Sequence, residues 1–399
     1  MKTKRLAAVI GLLVLAMVLI VATAAQAGHK TAKVTNVTFA GWSSGADEDA
    51  LDVQMANAFN KTHKGIHVTW TPIGGNYTEA MTARFAAHNA PDVFYVDSSV
   101  IGDWIHQGVI QPLNGLIKKT HFNTKKFYPK LLGAFKKGKS IYGFPKDWSP
   151  LATEINNNLF GRAGIKGAPK TWAQLKSDAK TIQAKGLSKH PICLSADWAR
   201  MGAFMYENGG SITNNLTSKA NAQAVNFYVG LLKSGLAYTP PTNSWCGQQL
   251  GEGNAAIIFE GNWLLPYMSS TYPKTHYSIG PMVHNKKQGN LAFTVSWSIA
   301  KSEKNKAAAW KVLSWLVGKQ GEKIWMSKGL ALSPRTDVPS KGGRAPFLKA
   351  APYARGWGFG NPNFSNAYTV MGNDLNAVIA GSKTTQQMLS DVGKALKGQ

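Results

Sequence analysis

The sequence predicts an α/β protein of two domains, each a central, mostly parallel sheet flanked by helices. Three observations carry this reading. Strand-like and helix-like segments alternate from residue 34 to the end of the chain. The chain has 399 residues, of which 372 follow an apolar N-terminal segment, more than one ordinary core accommodates. Hydrophobic residues make up 44% and aromatic residues 10%, which places the chain among globular and not disordered proteins.

In order, residues 34–40 (VTNVTFA) read as a strand and 47–62 (DEDALDVQMANAFNKT) as an amphipathic helix with acids at its start. Residues 65–73 form the next strand, 76–88 a helix, 91–97 (PDVFYVD) a strand and 98–108 a helix. A second unit begins after YGFPKDWSP (142–150), with a strand at 151–160. A helix at 169–186 follows, with Thr171 as its N-cap and Gly186 at its end. Residues 190–195 are a strand, 221–235 a helix, and 255–259 and 276–283 strands. A strand-like run then returns at 291–300, and helical segments at 303–318, 367–381 and 384–396 complete the chain.

The N-terminus reads as an export signal. Lys2, Lys4 and Arg5 precede the uncharged core Leu6–Ala22, and Ala25-Gln26-Ala27 is an A-x-A cleavage pattern. The same core is long enough to stay uncleaved as a membrane anchor. No Cys follows it, so a lipid anchor is not expected. The expected location is the periplasm or the extracellular space. In such a setting Cys193 and Cys246 are expected to pair, which stabilises by about 4 kcal/mol in the chain-entropy picture. The net charge is +25, and it is spread in pairs such as Lys118-Lys119 and Lys286-Lys287 instead of forming a stripe. That distribution argues against nucleic acid as a partner and leaves an anionic ligand or surface open.

Several motifs fail on context. GWSSG (41–45) matches the G-x-S-x-G nucleophile elbow, with Ser43 as nucleophile of a serine hydrolase. It follows the first strand, however, so no upstream loop supplies the second oxyanion N–H. His63 and His67 have metal-ligand spacing, but Gly65 ends the helix between them, and no metal is expected. GEGNAA (251–256) precedes a strand where a dinucleotide fingerprint must follow one. No cofactor is expected. Asp97, Asp147 and Glu260 lie near strand ends but do not pair as a glycosidase dyad on sequence alone.

The informative pattern is aromatic. Of thirteen tryptophans, Trp42, Trp148, Trp198, Trp263, Trp297 and Trp357 fall at strand ends or loops. Trp172, Trp310, Trp315 and Trp325 sit at helical spacing and read as core. In open α/β sheets ligands bind beyond the carboxyl ends of the strands. Rings there, beside Asp, Asn, Ser and Arg, suit a pyranose, which has C–H faces and a hydroxyl rim.

Five stretches resemble a known family. These are ALDVQMANAFNKTHKGIHVTWTPI, MTARFAAHNAPDVFYVDSSVIGDWIHQGVIQPL, KSIYGFPKDWSPLATEINNNLFGRAGIKGAPKTWAQL, and GNAAIIFEGNW with ALSPRTDV. In this order they resemble the extracellular solute-binding proteins of ABC transporters, family 1, the sugar-binding group that includes maltose-binding protein. The resemblance implies the type II periplasmic-binding-protein fold: two α/β lobes joined by hinge strands, with a ligand cleft between them. With residues 1–27 as the signal peptide, it implies one lobe from 28–146 and 289–338, and the other from 147–288 and 339–399. It also implies a non-enzymatic monomer that hands a carbohydrate to a membrane permease. Carried over by position, the expected ligand contacts are Trp42, Ser43, Asp97, Ser98, Asp147, Trp148, Trp198, Gly261, Asn262, Trp263, Ser296, Trp297, Arg335 and Trp357. The high positive charge departs from the family pattern and keeps a uronate or a sugar or glycerol phosphate as an alternative ligand.

Overall fold

The computed structural model describes residues 34–43, 46–329, 331–340, 344–358 and 361–399. The export signal and its A-x-A motif lie outside the described residues. Thirteen strands are present in these segments: β1 (Thr35–Trp42), β2 (Ile66–Ile73), β3 (Val93–Asp97), β4 (Lys136–Lys137), β5 (Ser140–Ile141), β6 (Gly143–Pro150) and β7 (Thr153–Asn156). They continue with β8 (Ile192–Cys193), β9 (Ala237–Tyr238), β10 (Ile257–Ile258), β11 (Tyr277–Gly280), β12 (Asn290–Ile299) and β13 (Ala354–Gly356).

The first sheet runs β13-β12-β3-β1-β2, with β6 also paired to β12. β1 is parallel to β2 and β3, whereas β12 is antiparallel to β3 and β6. Helix Ala46–Thr62 covers this sheet with Leu51, Met55 and Phe59, one face at i, i+4 and i+8. Asp47, Glu48 and Asp49 occupy its first turn, where negative charge complements the helix dipole. The core beneath is a ring cluster in which Trp297 lies 4.3 Å from Tyr95 and 5.4 Å from Phe39, centroid to centroid.

The second sheet runs β11-β7-β10-β8-β9. β7 ends sooner than the strand predicted over 151–160. Asn156 accepts hydrogen bonds from the N–H groups of Asn158 and Leu159, which caps the helix Asn157–Ala163 and turns the chain. Thr171 caps helix Trp172–Ala184 by accepting from Gln174 N. Cys193 and Cys246 form a disulfide, with Cα atoms 5.4 Å apart. It lies among Leu250, Ile258, Leu264 and Met268.

Chain crossings between the two sheets build the hinge. β6 stays paired with β12 through Pro150, so the first crossing falls at 150–153, a few residues beyond the expected boundary at 146. The chain returns with β12 at Asn290. The segment after 339 first adds β13 to the edge of the first sheet, beside Asn290–Ala292, before entering the second lobe. One buried amide ties two crossings together. Asn290 Nδ2 donates to Leu151 O at 2.7 Å, and its Oδ1 accepts from Leu151 N at 3.3 Å. Replacing Asn290 with Leu leaves both backbone groups of Leu151 buried without that partner. The expected cost is about 1–3 kcal/mol, read as a lower urea midpoint with an unchanged slope. An unchanged midpoint contradicts the clamp.

Candidate functional site

A cleft of about 870 Å³ opens between the two sheets. Its first wall comes from the lobe that carries β1. Trp42 closes β1, and its ring is held edge-on by Tyr77 and Tyr95, with centroids 5.3 and 5.1 Å away. Asp97 closes β3 and accepts from Ser99 N at 2.8 Å and Ser99 Oγ at 2.5 Å. Burial raises its pKa, and the nearby Asp147 adds to the shift.

The floor of this wall is organised by Lys146. Its Nζ lies 2.6 Å from Asp147 Oδ2 and 3.5 Å from Glu48 Oε1. It also sits 3.7 Å from the ring centroid of Trp325 and 4.4 Å from that of Tyr95. Trp325 Nε1 donates to Asp147 Oδ2 at 3.1 Å. Burial works against the ammonium, yet Asp147, Glu48 and Asp52 together hold its pKa above the ordinary lysine value. Beneath it, Asp52 accepts from the Tyr95 hydroxyl at 3.1 Å, and burial pushes its pKa well above the usual carboxylate range.

The second wall starts just past β10. Gly261 has no room for a side chain: a Cβ there would lie 2.2 Å from Trp263 Cζ3 and 2.5 Å from Ser149 Oγ. The bare backbone lets the Trp263 ring fold against the turn. Asn262 N donates to Ser149 Oγ at 2.9 Å, which ties the turn to the hinge strand β6. Trp263 Nε1 donates to Glu260 Oε2 at 3.1 Å, and Arg200 reaches the same oxygen at 2.5 Å. Asp197 holds Arg200 in turn at 3.0 Å. Glu260, fully buried, therefore faces Arg200 and the indole N–H and orients the ring from behind. Trp245, Pro266, Tyr267 and Ser270 complete this wall, and Ser149, Phe293, Thr294 and Val295 of the hinge strands form the base.

Of the residues expected from sequence, Trp42, Asp97, Asp147 and Trp263 line the cleft. Gly261 and Asn262 lie behind Trp263. The others have different surroundings. Ser43 is exposed, and its hydroxyl donates to Asp49 Oδ2 at 2.6 Å; the partner is a carboxylate and not an imidazole base. Ser98 and Ser296 are fully buried beneath the cleft. Trp148 points away from Asp147, as neighbours in a strand must, and donates its indole N–H to Ser333 O at 3.1 Å. Trp297 is buried by the same alternation in the core of the first lobe. Between the pairs Val295–Asp147 and Ser296–Pro145 the register skips Lys146, a bulge in β6, and β12 lines the cleft with Phe293–Val295. Trp198 stacks on Phe364 at 4.9 Å, and Trp357 meets both rings edge-on, inside the second core. Arg335 is buried against Asp337, Val317 O and the Phe127 ring, where it braces the 333–337 turn.

The cleft also uses residues the sequence did not single out. Trp325, whose helical spacing marks it as core, is both buried and the ring that Lys146 sits over. Glu48, Lys146, Trp245, Tyr267 and Phe293 join only in three dimensions. One signal was available for Trp245: it directly precedes a paired cysteine.

These features define a two-lobed periplasmic-binding-protein fold with an interlobe cleft. The chain belongs to the bacterial extracellular solute-binding protein family, whose model matches residues 42–323. It is similar to the maltooligosaccharide ABC transporter solute-binding lipoprotein of Streptococcus pneumoniae, at 23% identity over 85% of this chain and 82% of that one. Among solved structures, an ABC substrate-binding protein of Listeria monocytogenes, in complex with cycloalternan, aligns with a TM-score of 0.81. It shares 19% identity, and the match covers 92% of this chain and 98% of that one. A receptor of Streptomyces glaucescens, solved unliganded and with acarbose, also gives 0.81 at 19% identity, covering 91% and 99% of the two chains.

The buried carboxyl under the cleft sets a pH dependence. Asp52 is neutral in the folded protein at pH values where it ionises in the unfolded chain. Its contribution to stability is therefore present in acid and lost as pH rises through its folded pKa. Asp52→Asn stays neutral and still accepts from Tyr95. It should flatten the fall in the urea midpoint as pH rises above the ordinary carboxylate range. Parallel curves for variant and wild type contradict this account of Asp52.

Proposed function

We propose that this protein captures an uncharged carbohydrate between its lobes and delivers it to an ABC importer. The observation that carries the proposal is the composition of the cleft. Indole rings from both lobes, Trp42 and Trp325 on one side and Trp245 and Trp263 on the other, flank carboxylates that accept hydrogen bonds. A pyranose needs both kinds of partner: ring faces for its C–H surfaces and acceptors for its hydroxyls. The relatives named for maltooligosaccharide, cycloalternan and acarbose support the same class of ligand.

Charge decides against the anionic alternative. Among the described residues lining the cleft, Asp47, Glu48, Asp97 and Asp147 face a single cation, Lys146. That ammonium is already engaged by Asp147 and Glu48. A phosphate or uronate would lose its hydration and meet excess negative charge. The net charge of +25 therefore does not describe the cleft, where four carboxylates outnumber one ammonium.

Ligand binding favours the closed arrangement of the lobes to the extent that it contacts both walls. Closure about the hinge presents the importer with a surface that reports occupancy. No helix among the described residues is long and apolar enough to cross a membrane. Residues 1–27 serve as the export signal, and the protein acts outside the cytoplasm without catalysing a reaction.

Calorimetric titration against neutral oligosaccharides, uronates and sugar phosphates tests this reading. Binding of at least one neutral sugar and of no anionic one is expected. A tight sugar phosphate, or silence across the panel, overturns it. Trp263→Ala should weaken the sugar that binds by about 1–3 kcal/mol. Unchanged affinity would make the ring a packing element only.

A further inference from the structure

The disulfide lies directly behind the wall of the cleft that the second lobe supplies. Cys193 closes β8, which is held between β10 and β9 in the second sheet. Cys246 opens the helix Cys246–Gly251, and the residue before it is Trp245. Trp245 lines the cleft, and its ring meets that of Tyr267, another lining residue, at 4.7 Å.

Two features set the Trp245 ring. The first is Gly247. A Cβ at that position would lie 2.2 Å from Trp245 Cη2 and 2.3 Å from Cζ3, so the indole rests on bare backbone. Any side chain there displaces the ring. The second is the covalent bond. The 239–245 segment is a loop, and the helix it enters has no side-chain N-cap. Besides the disulfide, the corner is held by hydrogen bonds: Gln249 donates to Ser244 Oγ at 2.9 Å and accepts from the Tyr238 hydroxyl at 3.1 Å, Ser244 N donates to Pro241 O at 3.0 Å, and Trp245 O accepts from Gln248 N at 3.0 Å. Hydrogen bonds of this kind tolerate small shifts, whereas a bridge that keeps Cα atoms 5.4 Å apart does not.

We propose that Trp245 is a ligand-facing ring, that Gly247 and the Cys193–Cys246 bond are its positioning residues, and that opening the bond weakens carbohydrate capture. The inference rests on the carbohydrate reading above. It makes the affinity of the cleft depend on the oxidation state of a bond that does not touch the ligand. In reduction, a dithiol supplies two electrons and two protons. The S–S bond becomes two thiols, and the dithiol ends as its own disulfide.

The test uses a neutral sugar found in the panel and calorimetric titration. The proteins are oxidised wild type, wild type treated with dithiothreitol, Gly247→Ala, Trp245→Ala and Gly247→Ala/Trp245→Ala. Because both cysteines are buried, Cys193→Ala/Cys246→Ala is included alone and with Trp245→Ala, and thermal melts report the folded fraction. Gly247→Ala keeps the disulfide. It and bond removal should each weaken binding by about tenfold in the presence of Trp245. In the Trp245→Ala background neither change should have a further effect. That pattern separates positioning of the ring from a general loss of structure, which would persist without the ring. The proposal is overturned if Gly247→Ala and bond removal leave affinity unchanged, or if their effects remain undiminished without Trp245. Failure of oxidised wild-type protein to bind any sugar overturns the carbohydrate reading, and this proposal with it.

Discussion

The antiparallel pairing of β6 with β12 is the constraint on which the rest of the molecule depends. β6 carries the chain out of the first lobe and β12 brings it back, and they are hydrogen-bonded neighbours. Every position of β6 is buried, so the pair cannot slide without exposing one face. Its register puts Val295 opposite Asp147 and Phe293 opposite Ser149, which sets the base of the cleft. Ser149 then receives the Asn262 N–H and positions the turn that presents Trp263. The base of the cleft and the turn that carries Trp263 are thus both anchored to one hinge pair.

Charge within the cleft follows from the same geometry. Lys146 and Asp147 are consecutive in β6, and because Lys146 is the bulged residue both reach Trp325, while Lys146 also reaches Glu48 of helix Ala46–Thr62. Removing either charge alone would strand the other in a place from which water is largely excluded. The arrangement leaves Asp97 as a carboxylate of the first lobe without a cation at ion-pair distance among the described residues. A strongly basic protein therefore keeps an acid-rich cleft, and net charge says little about the ligand.

Much of the architecture is legible in the sequence because it is local. Alternation of strands and helices, the Thr171 cap and the late return of a strand near residue 291 are written in short windows. Gly261 before Trp263 is likewise local, since the ring folds back on its own turn. The cleft is less legible. Asp147 and Trp148 are adjacent in sequence but face opposite sides of one strand, and that assignment needs the register of β12. Trp198 and Trp357 meet across more than a hundred and fifty residues, so their mutual burial had no sequence signature. Trp325 shows that helical spacing identifies a buried face without telling whether that face lies under a ligand site.

The central claim is that one interlobe cleft, walled by indoles from both lobes, holds an uncharged sugar. A crystal structure of the protein with a bound neutral oligosaccharide tests it most directly. The account predicts sugar density between Trp263 and Trp245 of one lobe and Trp42 and Trp325 of the other, with hydroxyls on Asp97 and Asp147. Sugar bound elsewhere, or in the cleft without ring contacts from both lobes, would contradict it.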